Sequence, residues 1–142
     1  MSVFTQAEIE YLQSQTLGRL ATVGPDGTPH VTPVTFHFNA DEDAVDIGGI
    51  GFGDTKKWRD VNGNPRVTFL VDDVLRDPRR ARAVEIRGRA EPHDTGGDTI
   101  NPRFPNFVPE FIRIRPTRIV SWGLEEDATG TSFRHDSRSV GA

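Results

Sequence analysis

The chain has 142 residues, 35% of them hydrophobic and 27% charged, and a net charge of −4 at pH 7. That length suits one domain with a real core, no apolar run reaches membrane-spanning length, and the acidic balance argues against a general nucleic-acid binder, which carries a basic excess. The absence of cysteine excludes disulfides, thiolate metal sites and thiol nucleophiles and fits a cytoplasmic protein; no secretory signal is visible in Met1-Ser2-Val3-Phe4.

In chain order, the first predicted element is a helix. Thr5 and Glu8 form a capping box, and Phe4 with Ile9 a hydrophobic staple. The helix runs to about Ser14, with Ile9 and Leu12 toward the core. Residues 18–23 read as a strand, and Gly24-Pro25-Asp26-Gly27 as a turn. Residues 30–38 and 44–49 are the second and third strands, joined across 39–43. Pro33 stands in mid-strand, cannot donate to a ladder, and marks an edge or a bulge. A bulge beside Thr32 and Thr35 leaves backbone groups and hydroxyls free to border a planar heteroaromatic ring; the alternative is an ordinary edge strand.

A glycine-rich connector (Gly48, Gly49, Gly51, Gly53) leads into Thr55-Lys56-Lys57-Trp58-Arg59-Asp60, which holds the only two lysines of a chain with 15 arginines. The spacing predicts a short helix, capped by Asp54 or Thr55 and ended at Asn62-Gly63. Two cations in the first turn oppose the macrodipole at about 0.3–1 kcal/mol each. An anion at the same helix end offsets this, so the segment reads either as a phosphate or carboxylate socket or as a solvated basic turn.

Residues 66–71 form a fourth strand, and 72–82 a polar loop broken by proline. Residues 83–90 alternate strictly as a strand. Residues 91–109 are rich in Gly, Pro and Asn and read as a loop. Residues 110–115 and 118–123 are two final strands around Pro116, and the polar tail from Glu125 is either loose or reaches a partner subunit. Six or seven short strands with two helices predict a mainly β fold, an antiparallel barrel, with one domain over 1–124 and a tail over 125–142. A parallel βαβ sheet needs more helices than the chain offers.

Several chemistries lack their residues. There is no Gly-x-Ser-x-Gly elbow, Rossmann fingerprint or P-loop. His30 and His37 fall on opposite faces of one strand by parity, and His93 and His135 lie in loop and tail, so no metal site is expected. Trp122 on a late strand is either core or ligand-facing. The positive charge is local (56–59, 76–82, and Arg113, Arg115, Arg118) and suits a small anionic ligand or simply exposed strands and turns. An interrupted strand, the glycine approach of Gly48 and Gly49, and the lysine socket can together hold a phosphorylated cofactor that does its own chemistry.

Three stretches then look familiar: Gly18-Arg19-Leu20-Ala21-Thr22-Val23-Gly24; Asp26-Gly27 through Pro29-His30-Val31 to Pro33-Val34; and Lys57 through Asn64-Pro65-Arg66-Val67. Their order and spacing resemble the pyridoxamine-phosphate-oxidase-like split-barrel superfamily. The ending Phe111-Ile112-Arg113-Ile114-Arg115-Pro116, then Arg118-Ile119-Val120-Ser121-Trp122-Gly123, resembles its F420-dependent reductase branch, which includes the dehydrotetracycline reductase group. The resemblance covers about residues 3–124. It implies a homodimeric split β-barrel of FMN-binding type with coenzyme F420 in the subunit groove, hydride leaving C5 of the deazaflavin for a conjugated double bond of a small organic substrate. By motif position Lys57 matches the phosphate-binding lysine, Lys56 and Arg59 support the phosphate or the tail, and His30, Thr32, Pro33, Val34 and Thr35 border the ring. The resemblance further implies that Trp122 reaches the cofactor from the partner subunit. The connector over 48–54 is longer than in the shorter family members. The resemblance also leaves open an FMN-dependent oxidase or reductase on the same barrel, or a non-catalytic protein that binds F420, flavin or haem.

Overall fold

The computed structural model describes residues 1–126, 129–130 and 132–141. Its first helix, α1 (Gln6–Ser14), starts on the predicted capping box: the Glu8 N–H donates to Thr5 Oγ1 at 3.1 Å, and the Thr5 N–H donates to Glu8 Oε1 at 2.9 Å. Seven strands follow: β1 (Leu17–Val23), β2 (Pro29–Asn39), β3 (Ala44–Ile47), β4 (Arg66–Arg76), β5 (Arg79–His93), β6 (Phe111–Glu126) and β7 (Phe133–Ser139). One turn of 3₁₀ helix, Phe52–Asp54, and the helix α2 (Lys56–Gly63) lie between β3 and β4.

All pairings are antiparallel, in the order β3-β2-β1-β4-β5-β6-β7, and β3 also pairs with β6. Six strands therefore close into a ring, and β7 is added outside it on β6. This is the mainly antiparallel split β-barrel that the sequence suggested. Period-two alternation fills the ring. Val34, Phe36 and Phe38 of β2 point inward with Leu20, Val67, Phe69, Val71, Val84 and Ile86. On β2, His30 and Thr32 share the inward parity, while Val31, Pro33, Thr35 and His37 face outward.

Four expectations are corrected. Residues 72–82 are not a loop: β4 and β5 continue as a hairpin from Asp72↔Ala83 to Arg76↔Arg79. Pro78 sits in its tight turn, and Arg82 grips Asp73 with Nε and Nη2 at 3.0 and 2.7 Å. Residues 110–123 are not two strands. β6 runs unbroken past Pro116, because the register with β5 shifts there and Gly88 pairs Pro116 while Arg87 pairs Arg118. Gly88 is required at this bulge, since a Cβ on it would overlap the Arg115 carbonyl. Pro33 marks an edge but no bulge: β1 pairs β2 in continuous register, and β3 reaches only residues 36–39, so residues 29–35 have β1 as their neighbour. Finally, the segment from 125 on contributes β7, paired to β6 from Arg118↔Ser139 to Glu126↔Phe133; residues 127, 128, 131 and 142 of that segment lie outside the described ones.

Two fully buried carboxylates are held by arginines far along the chain, in the first case on the paired neighbouring strand. Asp46 of β3 meets Arg113 of β6 at 2.8 and 3.2 Å and accepts from Asn39 Nδ2 at 2.9 Å. Glu8 of α1 meets Arg138 of β7 at 2.7 and 3.0 Å.

Candidate functional site

The start of α2 carries three cations in four residues, Lys56, Lys57 and Arg59. Thr55 caps it, accepting from the Trp58 N–H at 3.3 Å. Lys56 turns back along the helix: its Nζ donates to Asp60 Oδ1 at 3.1 Å, and the buried Asp60 accepts from the Thr22 hydroxyl of β1 at 2.9 Å. Burial opposes ionisation of Asp60, but Thr22 and Lys56 outweigh it and hold its carboxyl below the usual range, with a further contribution from His30. Arg59 donates to the Asp54 carbonyl at 3.0 Å. Both cations are thus committed within the chain.

Lys57 is different. Its ammonium lies 5.5 Å from the centre of the Phe52 ring. It makes no ion pair among the described residues, and burial alone lowers its pKa. The two predicted lysines are therefore not an equivalent pair. Lys56 neutralises Asp60, whose bond from Thr22 fastens α2 to β1, while Lys57 is left as a half-buried cation in the first turn of the helix. The i,i+4 spacing of Lys56 and Asp60 was visible in the sequence; the Phe52 shelf and the Thr22 contact were not.

The other predicted residues scatter. His30 contributes charge stabilisation to the Asp60 carboxylate of α2 without a hydrogen bond to it among the described residues, and Thr32 shares its face of β2. Val34 is buried in the core, and Pro33 is exposed on the outward face. Thr35 lines a separate cavity of about 370 Å³ between α1, β2 and residues 101–104. Gly48 is buried against Ile100 and Phe107, and the Gly49 carbonyl accepts from the Val108 N–H at 3.2 Å. The connector is thus covered by the loop that follows β5. Trp122, half-buried on the outward face of β6, pairs with Ala83 and His135, its ring 6.2 Å from that of His135. Several arginines of the basic clusters hold the protein's own groups: Arg113 and Arg115 bind Glu42 and Asp46 or Glu91, Arg82 binds Asp73, and Arg118 binds Ser137 and Ser139. Among the described residues no three His, Cys, Asp or Glu are grouped to hold a metal ion, and no helix is long and apolar enough to cross a membrane.

Residues 4–101 match the profile of pyridoxamine 5'-phosphate oxidase. The chain belongs to the pyridoxamine 5'-phosphate oxidase family. It is 48% identical, over 133 residues and 92% of each chain, to the 5a,11a-dehydrotetracycline/5a,11a-dehydrooxytetracycline reductase of Streptomyces rimosus. That kinship supports an oxidoreductase. Its fold matches a conserved hypothetical protein of Mycobacterium tuberculosis with a TM-score of 0.69 at 23% identity, over 99% of this chain and 94% of the other. It also matches an FAD binding protein of Mycobacterium smegmatis with a TM-score of 0.62 at 24% identity, over 85% and 96%. Both likenesses place the oxidase-family barrel within a widely shared architecture.

Proposed function

We propose that the protein is an F420-dependent reductase that transfers hydride from reduced deazaflavin to a conjugated double bond of a small organic substrate. The observation that carries this reading is Lys57. Its ammonium has lost water without gaining a carboxylate, so an anionic oxygen brought to Nζ restores the charge balance. The residues present therefore fit a phosphate. Kinship with a named reductase supports a reductase, and the resemblance of residues 111–123 to reductases that use F420 is the reason the deazaflavin is proposed.

Reduced deazaflavin, when bound, supplies hydride from C5. The rest is placement. Lys57 would hold the phosphate oxygen, and the Lys56–Asp60–Thr22 chain keeps the helix end fixed against β1 while it does so. His30 and Thr32, on one face of β2, would border the ring. No side chain is assigned as proton donor; solvent or the substrate serves.

FMN-dependent chemistry is the second reading, favoured by one specific observation: among the described residues the socket has a single unpaired cation, Lys57, which matches FMN's one phosphate as well. Titrating the protein with F420 and with FMN by fluorescence quenching separates the two. F420 is expected to bind more tightly, and its reduced form to be consumed in the presence of a dehydrotetracycline-type enone. Tighter FMN binding overturns the choice, and tight F420 binding with no reduction across a panel of enones makes the protein a carrier.

A homodimer and a cytoplasmic location belong to the same proposal. The outward face of β1 and β2 carries Val31 at 72% exposure and Leu17 at 47%, with Pro33 between them. A second copy seated there would cover these apolar side chains, which flank Arg19 on the same face and which water otherwise meets. Sedimentation should give twice the 15.8 kDa chain mass, and Val31→Asp should shift it to the monomer; a wild-type monomer defeats the idea.

A further inference from the structure

Five residues along β2 from His30, the strand passes the 370 Å³ cavity, which the socket reading leaves without a role. That volume lies in the range of small-molecule sites. Leu12 of α1 and Phe104 give it apolar walls, and Thr35, His37, Asn101 and Arg103 give it polar ones.

The arrangement is held from behind. Asn101 is buried; its Oδ1 accepts from the Arg103 N–H at 3.1 Å and its carbonyl from the Phe104 N–H at 3.0 Å. Phe104 lies parallel to the buried Phe107, centroids 5.1 Å apart, and its own ring is half-exposed. An aromatic face is therefore fixed in place beside a cation. The Arg103 guanidinium makes no hydrogen bond or ion pair among the described residues, and neither does the His37 imidazole. Arg82, Arg113, Arg115 and Arg138, by contrast, each hold a carboxylate.

We infer that this cavity binds a flat, multi-ring organic anion, a carboxylate or an enolate, whose rings lie on Phe104 and whose charged oxygens meet Arg103. A planar guanidinium pairs with two oxygens of such a group, and Phe104 stacks on the ring beside them. A small inorganic anion would leave the Leu12 and Phe104 walls wet. The cavity stands on its own geometry; only the assignment of its occupant as the hydride acceptor rests on the reductase reading.

The test uses 1-naphthoate and its neutral counterpart, 1-naphthalenemethanol, titrated calorimetrically into the full chain. Naphthoate should bind one per chain and more tightly than the alcohol. Arg103→Ala should weaken naphthoate about tenfold, as loss of a charge-assisted pair does, and Arg103→Lys should recover part of that. Phe104→Ala should weaken both probes, and Lys57→Ala should leave both unchanged. Arg103 is exposed on a loop, and unchanged circular dichroism certifies the fold of each variant. Equal binding of acid and alcohol, or a loss that follows Lys57 rather than Arg103, overturns the inference. F420 titration of the same samples keeps the two readings apart. F420 bound with no naphthoate bound removes the cavity alone. Naphthoate bound through Arg103 with no F420 bound upholds the cavity and removes the reductase.

Discussion

Arg138→Ala should lose about 3–5 kcal/mol of unfolding free energy, the range for stripping a buried charge of its partner. Its target, Glu8, is 0% exposed. Glu8 accepts from Arg138 Nη2 at 2.7 Å and Nη1 at 3.0 Å, from the Ser121 hydroxyl at 2.7 Å and from the Thr5 N–H at 2.9 Å. Arg138 Nη2 also donates to the Val3 carbonyl at 2.7 Å. One guanidinium thus joins β7, α1 and the segment before it. Without it, the carboxylate keeps two donors inside the protein and loses its counter-charge. Urea unfolding at pH 7 reads the loss directly. A drop below about 0.5 kcal/mol, the scale of an ordinary surface change, would show that the clasp is not maintained in solution.

The same contact sets a pH dependence. Burial pushes the Glu8 carboxyl up, but the hydrogen bonds from Arg138, Thr5 and Ser121 and the Arg138 charge outweigh it, and the net shift is downward. A depressed carboxyl contributes stability that is present above its unfolded value of about 4.3 and is lost as pH falls through the lower folded value. In Arg138→Ala burial is left less opposed, so protonation there relieves the native state. The gap between wild type and variant should therefore narrow as pH falls below about 4. A gap that stays constant from pH 7 to pH 3 would contradict the assignment.

The second large effect is on binding. Lys57→Ala should weaken cofactor affinity by about 10- to 100-fold, as expected for one hydrogen bond to a charged group worth about 1.5–3 kcal/mol. Its effect on stability should be slight, because the ammonium is partly desolvated without a partner. Lys56→Ala should do the reverse: it leaves the buried Asp60 with Thr22 alone as a partner and shows mainly as lost stability. Fluorescence titration beside thermal melts of both variants gives the cross-over. Identical cofactor affinities for wild type and Lys57→Ala would remove the socket.

Features governed by neighbours in the chain could be read from the sequence. The Thr5–Glu8 box, the turn at Gly24 to Gly27, and the capped lysine helix all depend on spacings of four residues or fewer, and all are present. What escaped depends on distance. The β4–β5 hairpin tip is wet on both faces, with Val74, Leu75 and Arg76 all exposed, so no alternation marks it as strand. Pro116 looked like a terminator because a proline in a strand usually is one; the glycine that accommodates it on β5 lies 28 positions earlier. The site divides in the same way. Lys57 stands out in composition, but its difference from Lys56 is set by Asp60, Thr22 and Phe52 together. Gly48 looked free because nothing in residues 94–110 announces that Ile100 and Phe107 will fold over it.

The single-neighbour half of β2 has a consequence for how the molecule behaves in a crowd. A closed ring exposes few bare edges, and bare edges are where β-proteins template one another into aggregates. Between residues 29 and 35 such an edge exists. Strand N–H groups point alternately to either side, and the Gly24 N–H donating to the Thr28 carbonyl sets the phase, so residues 29, 31, 33 and 35 face the edge; prolines at 29 and 33 remove two of those four donors. An incoming extended chain cannot zip onto it as a continuous ladder. Association at this margin is thereby confined to side-chain contact across the flat of the sheet, and fibre-like growth is discouraged by the same residues that mark the margin in the sequence.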